Sequence, residues 1–367
     1  MADNFEDHWR NRDRTAADPR HPKQVSVTGK SEAQMPDRLT RRAFSKAALA
    51  AASASALVPL RSGSSRAQAV YPTRPVRVIL PFAAGGQADI TSRLVAERLG
   101  EKLGQRFVIE NQAGPGGIVA ARSVLSAPPD GYTLGLATNG TSISVALYNA
   151  LPFDPVKDFA TISTLGYFDL VLATNSDSPF RTLPDFIQAA RAGPGKLNIG
   201  AISVGSTQEL GAELFKATAK LDVQIVPYRT TPDVIVGLIR NDVQLMVDFY
   251  AAMESGLEQN RIRAVATSGM ARTEYLPAVP VVSEAGVPGY EVTAWNGLFA
   301  PKATPAAIIE LLNTAVRDIL AVAEIRMRFA SLGIAAKAST PEELKSRMQG
   351  DIGKWAAVIE RAGIPKQ

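Results

Sequence analysis

From Val76 onward, short apolar runs rich in β-branched residues alternate with stretches of helical period. Residues 76–80 read as a strand stopped by Pro81. Ile90, Leu94 and Leu99 share one face of a helix over 90–103, which Gly104 ends. A second strand over 107–110, a short helix over 118–125 and a third strand over 133–138 come next, with Pro128-Pro129-Asp130-Gly131 as the turn before the third strand. This order predicts a mostly parallel α/β sheet. A long strand over 162–173 and a helix over 183–191 lead into a second series. Its strands are expected over 197–202, 223–226, 243–247 and 262–266, with helices over 208–219 and 232–240. A strand around 292–299, a helix over 306–323 opened by Pro305, and a last helix opened by Pro341-Glu342-Glu343 complete the chain. Two short α/β series joined by long strands predict two lobes around a cleft. The crossings are expected near 170–175 and 290–299; a single larger sheet is the alternative.

The first seventy residues have another pattern. Residues 1–38 are polar and aperiodic. Arg41-Arg42-Ala43-Phe44-Ser45-Lys46 precedes an uncharged Ala/Ser-rich stretch of 14 residues, 47–60, and Ala67-Gln68-Ala69 closes it. A basic region, a weakly apolar region and an A-x-A site in that order predict a cleavable signal peptide, and the paired arginines resemble the twin-arginine export signal. Cleavage after Ala69 would leave 298 residues in the periplasm. The stretch is shorter than the roughly 20 residues a spanning helix needs.

Composition changes the picture in two ways. There is no cysteine, and both histidines, His8 and His21, fall in the leader, so thiolate metal sites and histidine chemistry are excluded from the remainder. The whole chain carries +5, but residues 1–69 hold 12 Lys plus Arg against 7 Asp plus Glu. Residues 70–367 therefore contain 28 basic and 28 acidic residues and no net charge. Basic residues are scattered without interleaved aromatics, which speaks against nucleic acid. No carboxylate pair stands out for acid–base work and no calcium-loop pattern occurs, so neither an enzyme, a metal nor a cofactor is expected.

The candidate chemistry lies in the loops at the strand ends. Phe82-Ala83-Ala84-Gly85-Gly86 with Asp89 comes after the first strand, Asn111-Gln112-Ala113-Gly114-Pro115-Gly116-Gly117 after the second, and Thr138-Asn139-Gly140-Thr141-Ser142 after the third. In the second series Ser203-Val204-Gly205-Ser206-Thr207 comes directly after Ile202. Strand C-termini of a parallel sheet share one edge, so these four loops converge on one crevice, where helix N-termini favour an anion. None matches a nucleotide P-loop or a dinucleotide fingerprint, and none contains Lys or Arg, which fits a carboxylate better than a phosphate ester. Asp89 is read first as a brace of its helix and second as a ligand group. Asp248, after a strand, is either a ligand contact or a solvated acid. Arg229 is read as exposed, and Trp295 as a core or hinge residue.

Taken in order, these residues resemble the substrate-binding receptors of tripartite tricarboxylate transporters, the Bug-type family. The likeness rests on Pro81-Phe82-Ala83-Ala84-Gly85-Gly86 with Asp89, the Asn111…Gly116-Gly117 loop, and Pro129-Asp130-Gly131-Tyr132-Thr133-Leu134. Val226-Pro227-Tyr228, Val279-Pro280-Val281-Val282-Ser283-Glu284-Ala285-Gly286 and Trp295-Asn296-Gly297-Leu298 extend it. The resemblance implies a monomeric two-lobed, Venus-flytrap receptor that holds a small carboxylate and delivers it to integral-membrane transporter components. The lobes would be 70–172 with 292–367, and 173–291. The resemblance further implies that the Gly85-Gly86 loop is the main carboxylate-holding loop, faced by the loop of Ser203, Gly205, Ser206 and Thr207. A sensor of the same fold, signalling to a membrane histidine kinase, is the alternative. Gln208 stands where the family often has His, Thr230 where it often has Gly, and Phe249-Tyr250 where Leu-Pro or similar is usual.

Overall fold

A computed structural model describes residues 71–202 and 205–367; the signal-peptide reading of 1–69 and the expectation for Ser203 lie outside the described residues. The elements in chain order are β1 (Val76–Leu80), α1 (Gln87–Leu103), β2 (Phe107–Asn111), a 3-10 turn (Pro115–Gly117), α2 (Ile118–Leu125), β3 (Thr133–Thr138), α3 (Asn139–Leu147), α4 (Pro155–Asp158) and β4 (Phe159–Asn175). Then come α5 (Leu183–Ala192), β5 (Asn198–Ile202), α6 (Thr207–Ala219), β6 (Gln224–Tyr228), α7 (Thr231–Ile239), β7 (Leu245–Phe249), α8 (Tyr250–Glu258) and β8 (Ile262–Thr267). The chain finishes with β9 (Thr293–Pro301), α9 (Ala306–Leu320), α10 (Ala323–Ala330), β10 (Ala335–Ala336) and α11 (Pro341–Ala362).

Local chemistry sets the helix ends. Gly104, in the left-handed region at φ 74°, closes α1 by donating its N–H to the Gly100 carbonyl. At α11, Thr340 Oγ1 accepts from the Glu343 N–H at 3.1 Å and the Glu343 carboxylate accepts from the Thr340 N–H at 2.8 Å, a capping box with Pro341 in the first turn. Helix α1 starts at Gln87, three residues ahead of the expected start, because Gly86 is its N-cap. Helix α3 starts at Asn139, so the expected Thr138–Ser142 loop is itself the first helical turn.

The strands form one curled sheet in the order β2-β1-β3-β9-β4-β7-β5-β6, with β8 and β10 also on β4. The parallel pairs are β1 with β2 and β3, and β5 with β6 and β7. Strands β9 and β4 run antiparallel to their neighbours, so the sheet is mixed. The 17-residue β4 joins the two halves. Its residues Phe159 to Asp169 pair with β9, and Leu170 to Asn175 pair with β7 and β8. Each half has apolar cores on both faces. Val78, Leu134 and Leu298 belong to the first half, and Leu172, Ile199 and Leu245 to the second.

Two helices reach across. The start of α11 packs Leu344 and Met348 into the first half, whereas Trp355, Val358 and Ile359 join the core of the second. Ile143 and Leu147 of α3 do the same. Ser268 bonds the two crossing segments together. It accepts at Oγ from the Leu170 N–H at 2.7 Å, donates from Oγ to the Val292 carbonyl, and is itself fully buried.

Candidate functional site

The C-terminal ends of β1, β3, β5 and β7 open on one cleft between the halves, a cavity of about 640 Å³. Phe82, Ala84, Gly86 and Asp89 line it from the β1–α1 loop, and Thr138 and Asn139 from the start of α3. Gly205, Ser206, Thr207 and Gln208 line it from the β5–α6 loop. The two loop systems meet directly, because Asn139 Nδ2 donates to Thr207 Oγ1 at 2.9 Å and Trp355 Nε1 donates to Asn139 Oδ1 at 3.0 Å.

Gly85 and Gly205 play matching parts. Both sit at positive φ, 88° and 77°, which a residue with a Cβ adopts only under strain. Gly85 donates its N–H to Asp89 Oδ2 at 2.9 Å, and Gly205 donates its N–H to Glu209 Oε2 at 2.6 Å. In each case an acid four residues on, in the first turn of the next helix, holds the loop back on itself. Gly85 thereby stands one step behind the residues that line the cavity.

The two acids differ in charge balance. Asp89 is buried and takes both Arg93 Nε and Arg93 Nη2 at 2.9 Å, with Asn111 Nδ2 at 2.9 Å. The Arg93 guanidinium holds its carboxyl down at about 2. Glu209 is buried, and no cation among the described residues lies against it; burial and the nearby Glu213 push its carboxyl up, opposed by the Gly205 N–H. Helix α1, 17 residues long, begins at Gln87 behind its N-cap Gly86, with no side chain capping its free N–H groups. Its positive end therefore faces the cleft with the charge of Asp89 already offset. At α6, Ser206 Oγ takes the Glu209 N–H at 3.0 Å.

Other expected site residues lie elsewhere. Gly116 and Gly117 pack behind the first half: Ser144 Oγ donates to the Gly116 carbonyl at 3.0 Å, and a Cβ on Gly116 would come within 2.7 Å of Tyr148. The 3-10 turn after β2 points this loop away from the cavity, toward Pro81 and Phe153. Asp248 is neither solvated nor in the lining. It is 1 % exposed, accepts from Gln208 Nε2 at 2.9 Å, from the Phe249 N–H at 2.8 Å and from Thr231 Oγ1, and burial pushes its carboxyl up. It thus fixes Gln208, which does line the cavity. Arg229 is exposed. Trp295, by contrast, lines the cavity floor while fully buried, and donates from Nε1 to Asp351 Oδ2 at 2.6 Å.

Sequence reasoning missed Glu209, Phe168 and Ile202. Glu209 repeats the Gly-to-acid spacing of Gly85 and Asp89, a signal that was available. Phe168 lies within a run that reads only as strand, yet it reaches the cavity and meets Phe249 edge to face, ring centroids 4.9 Å apart. No Lys, Arg or His lines the cavity among the described residues.

A family model described as the tripartite tricarboxylate transporter family receptor matches residues 91–364. The chain belongs to this family. Its members are solute-binding receptors, not enzymes. A relative from Pseudomonas sp. (strain P51), the UPF0065 protein in the tcbD-tcbE intergenic region, is 31 % identical over 82 % of this chain and 90 % of its own. Among solved structures, R. palustris Rpa4515 with adipate is 33 % identical, with a TM-score of 0.71 over 80 % of this chain and 99 % of that one. MatC (Rpa3494) from Rhodopseudomonas palustris with bound malate is 33 % identical, with a TM-score of 0.67 over 79 % of this chain and 100 % of that one. The fold is accordingly that of the two-lobed periplasmic binding proteins, and the family receptors of this kind bind carboxylates.

Proposed function

We propose that this receptor captures a small carboxylate-bearing organic anion in the cleft and hands it to the membrane components of a tripartite tricarboxylate-type transporter. The observation that carries this reading is the uncapped start of α1, which opens into a cavity lined by no cationic side chain among the described residues. Backbone N–H groups and the positive helix end suit a singly charged carboxylate group, whereas a phosphate ester ordinarily recruits Arg or Lys. Adipate and malate in two similar structures support the same ligand class.

The lobes of this reading are 70–172 with 292–367, and 173–291, with α3 and the end of α11 strapped across them. Closure of one lobe on the other is a population shift driven by the ligand's contacts to both. The leader over 1–69 would direct export by the twin-arginine route with cleavage near Ala69, and the receptor would act as a monomer in the periplasm.

The test is a thermal-shift screen of the purified protein against carboxylic acids, phosphorylated metabolites and sugars. Stabilisation by acids alone is the expected result; stabilisation by sugars or phosphate esters with no acid effective refutes it. Gly85→Val, which forces a branched side chain into positive φ, should abolish acid binding and leave a cooperative melt.

A further inference from the structure

Three of the polar side chains around the cavity are already engaged. Asn139 is held between Thr207 and Trp355, Gln208 is held by Asp248, and Ser206 Oγ accepts from Glu209 and donates to Ile202. Among the described residues the cavity also offers a ligand the backbone end of α1 and a large apolar surface. That surface combines Phe82, Ala83 and Ala84 of the first loop with Phe168, Ile202 and Phe249. Phe82 is 40 % exposed and faces the cavity together with this surface.

The two helix ends are unequal hosts for negative charge. Asp89 at α1 is neutralised by a two-point contact with Arg93. Glu209 at α6 is buried, has no cation against it among the described residues, and has the Lys216-paired Glu213 one turn on. An anion at α6 would meet an uncompensated carboxylate; at α1 it would not. The cleft therefore has one good place for a carboxylate and an aromatic wall facing it. A second carboxylate against Phe168, Phe249 and Ile202 would lose hydration to side chains that carry no hydrogen-bond donor.

We infer that this receptor selects acids with a single carboxylate on an aromatic ring, the carboxylate at the start of α1 and the ring between Phe82 and the Phe168–Phe249 pair. Phe168 comes from the crossing strand β4 and Phe249 from the end of β7, so the edge-to-face pair spans the two halves. A third ring extends that arrangement, because an aromatic edge packs favourably on an aromatic face. Small residues at 83, 84 and 88 leave room for a flat body beside the loop. Phe249 and Phe168 are then the specificity-determining residues. The inference rests on the carboxylate reading of the same cleft.

The experiment is calorimetric titration of the purified protein with benzoate, adipate, malate and benzamide, repeated with Phe249→Ala, Phe249→Leu and Phe168→Leu. Benzoate should bind at least tenfold tighter than adipate or malate, and benzamide should give no heat. Phe249→Ala should weaken benzoate tenfold or more, and Phe249→Leu and Phe168→Leu, which keep the volume but not the ring, severalfold. Adipate or malate bound more tightly than benzoate overturns this inference and leaves the carboxylate reading standing. Benzamide bound as well as benzoate, or no acid bound at all, overturns both. Benzoate affinity unchanged in the two Leu variants, each melting cooperatively, removes the aromatic pair from the site.

Discussion

Gly85 and Asp89 form a unit that serves the ligand without touching it. The Asp89 carboxylate uses its two oxygens on the Gly85 N–H, Arg93 and Asn111, and so holds the β1–α1 loop open beside the helix start. Its pKa of about 2 lies below the ordinary 3.8, so its contribution to stability is fully present above about pH 4 and is lost as pH falls toward 2. Asp89→Asn keeps the shape and removes the charge. It should cost about 2 kcal/mol, since Arg93 is half exposed and its solvated side limits the loss. Urea denaturation at pH 7 and pH 3 checks this: the gap between variant and parent should shrink at the lower pH. The brace was legible from sequence because Asp89 stands in the first turn of a periodic helix. The equivalent Glu209 was overlooked although Gly205 and Glu209 repeat the Gly85-to-Asp89 spacing, because its burial is not visible in the sequence. Asp248 was misplaced for a related reason: strand ends of this type face the cleft on alternate residues, and here Phe249 takes the outward position.

At the scale of elements, the strands and helices with unbroken apolar periods were readable, among them β1, α1, β3 and α6. Strand β4 proved longer than its apolar run. Thr161, Ser163 and Thr164 are buried in its first half, where their hydroxyls donate to the Pro341, Ser339 and Lys337 carbonyls. A polar stretch stays in the sheet because a segment 180 residues away satisfies it, which no local pattern records. Helix α8 escaped notice because it buries only Met253 and Gly256, too little to mark a face. Ser268 is the analogous hidden device between elements. Its hydroxyl is the shared partner of the Leu170 N–H on β4 and the Val292 carbonyl before β9. Ser268→Ala orphans both buried backbone groups, at a cost of about 2–4 kcal/mol. Hydrogen exchange should show the Leu170 amide losing protection ahead of the β1 and β3 amides. Uniform loss across all strands would mean the bond has no special role in the crossing.

The whole molecule turns on the place where β4 passes from one half to the other. The alternation of strands and helices foretold two α/β series joined by long strands with a crossing near 170–175. It left two lobes or a single larger sheet open; the 17-residue β4 makes the crossing inside a continuous curled sheet. Asp169 sits at this bridge, one residue before the strand changes partners. It accepts from Thr293 Oγ1 at 3.0 Å and faces Glu291, Arg347 and Tyr275. Burial is the largest effect on its carboxyl and Glu291 adds repulsion; together they outweigh Thr293 and Arg347 and push it up to about 6. The folded protein therefore holds this proton more tightly than the unfolded chain. The stability so gained is fully present below about pH 4 and is lost as pH rises through 6, a loss of about 2–3 kcal/mol by the size of the shift. Asp169→Asn keeps the acceptor for Thr293 and the fit against Gly269 while removing the charge. It should match the parent near pH 4 and exceed it by about 2 kcal/mol near pH 8, measured as denaturation midpoints across that range. Because the same strand links the lobes, the ionised parent should also open more readily at pH 8 than at pH 5, and Asp169→Asn should lose that difference in small-angle scattering of the ligand-free protein. Equal slopes of stability against pH for variant and parent between pH 4 and 7 would place the titrating group elsewhere.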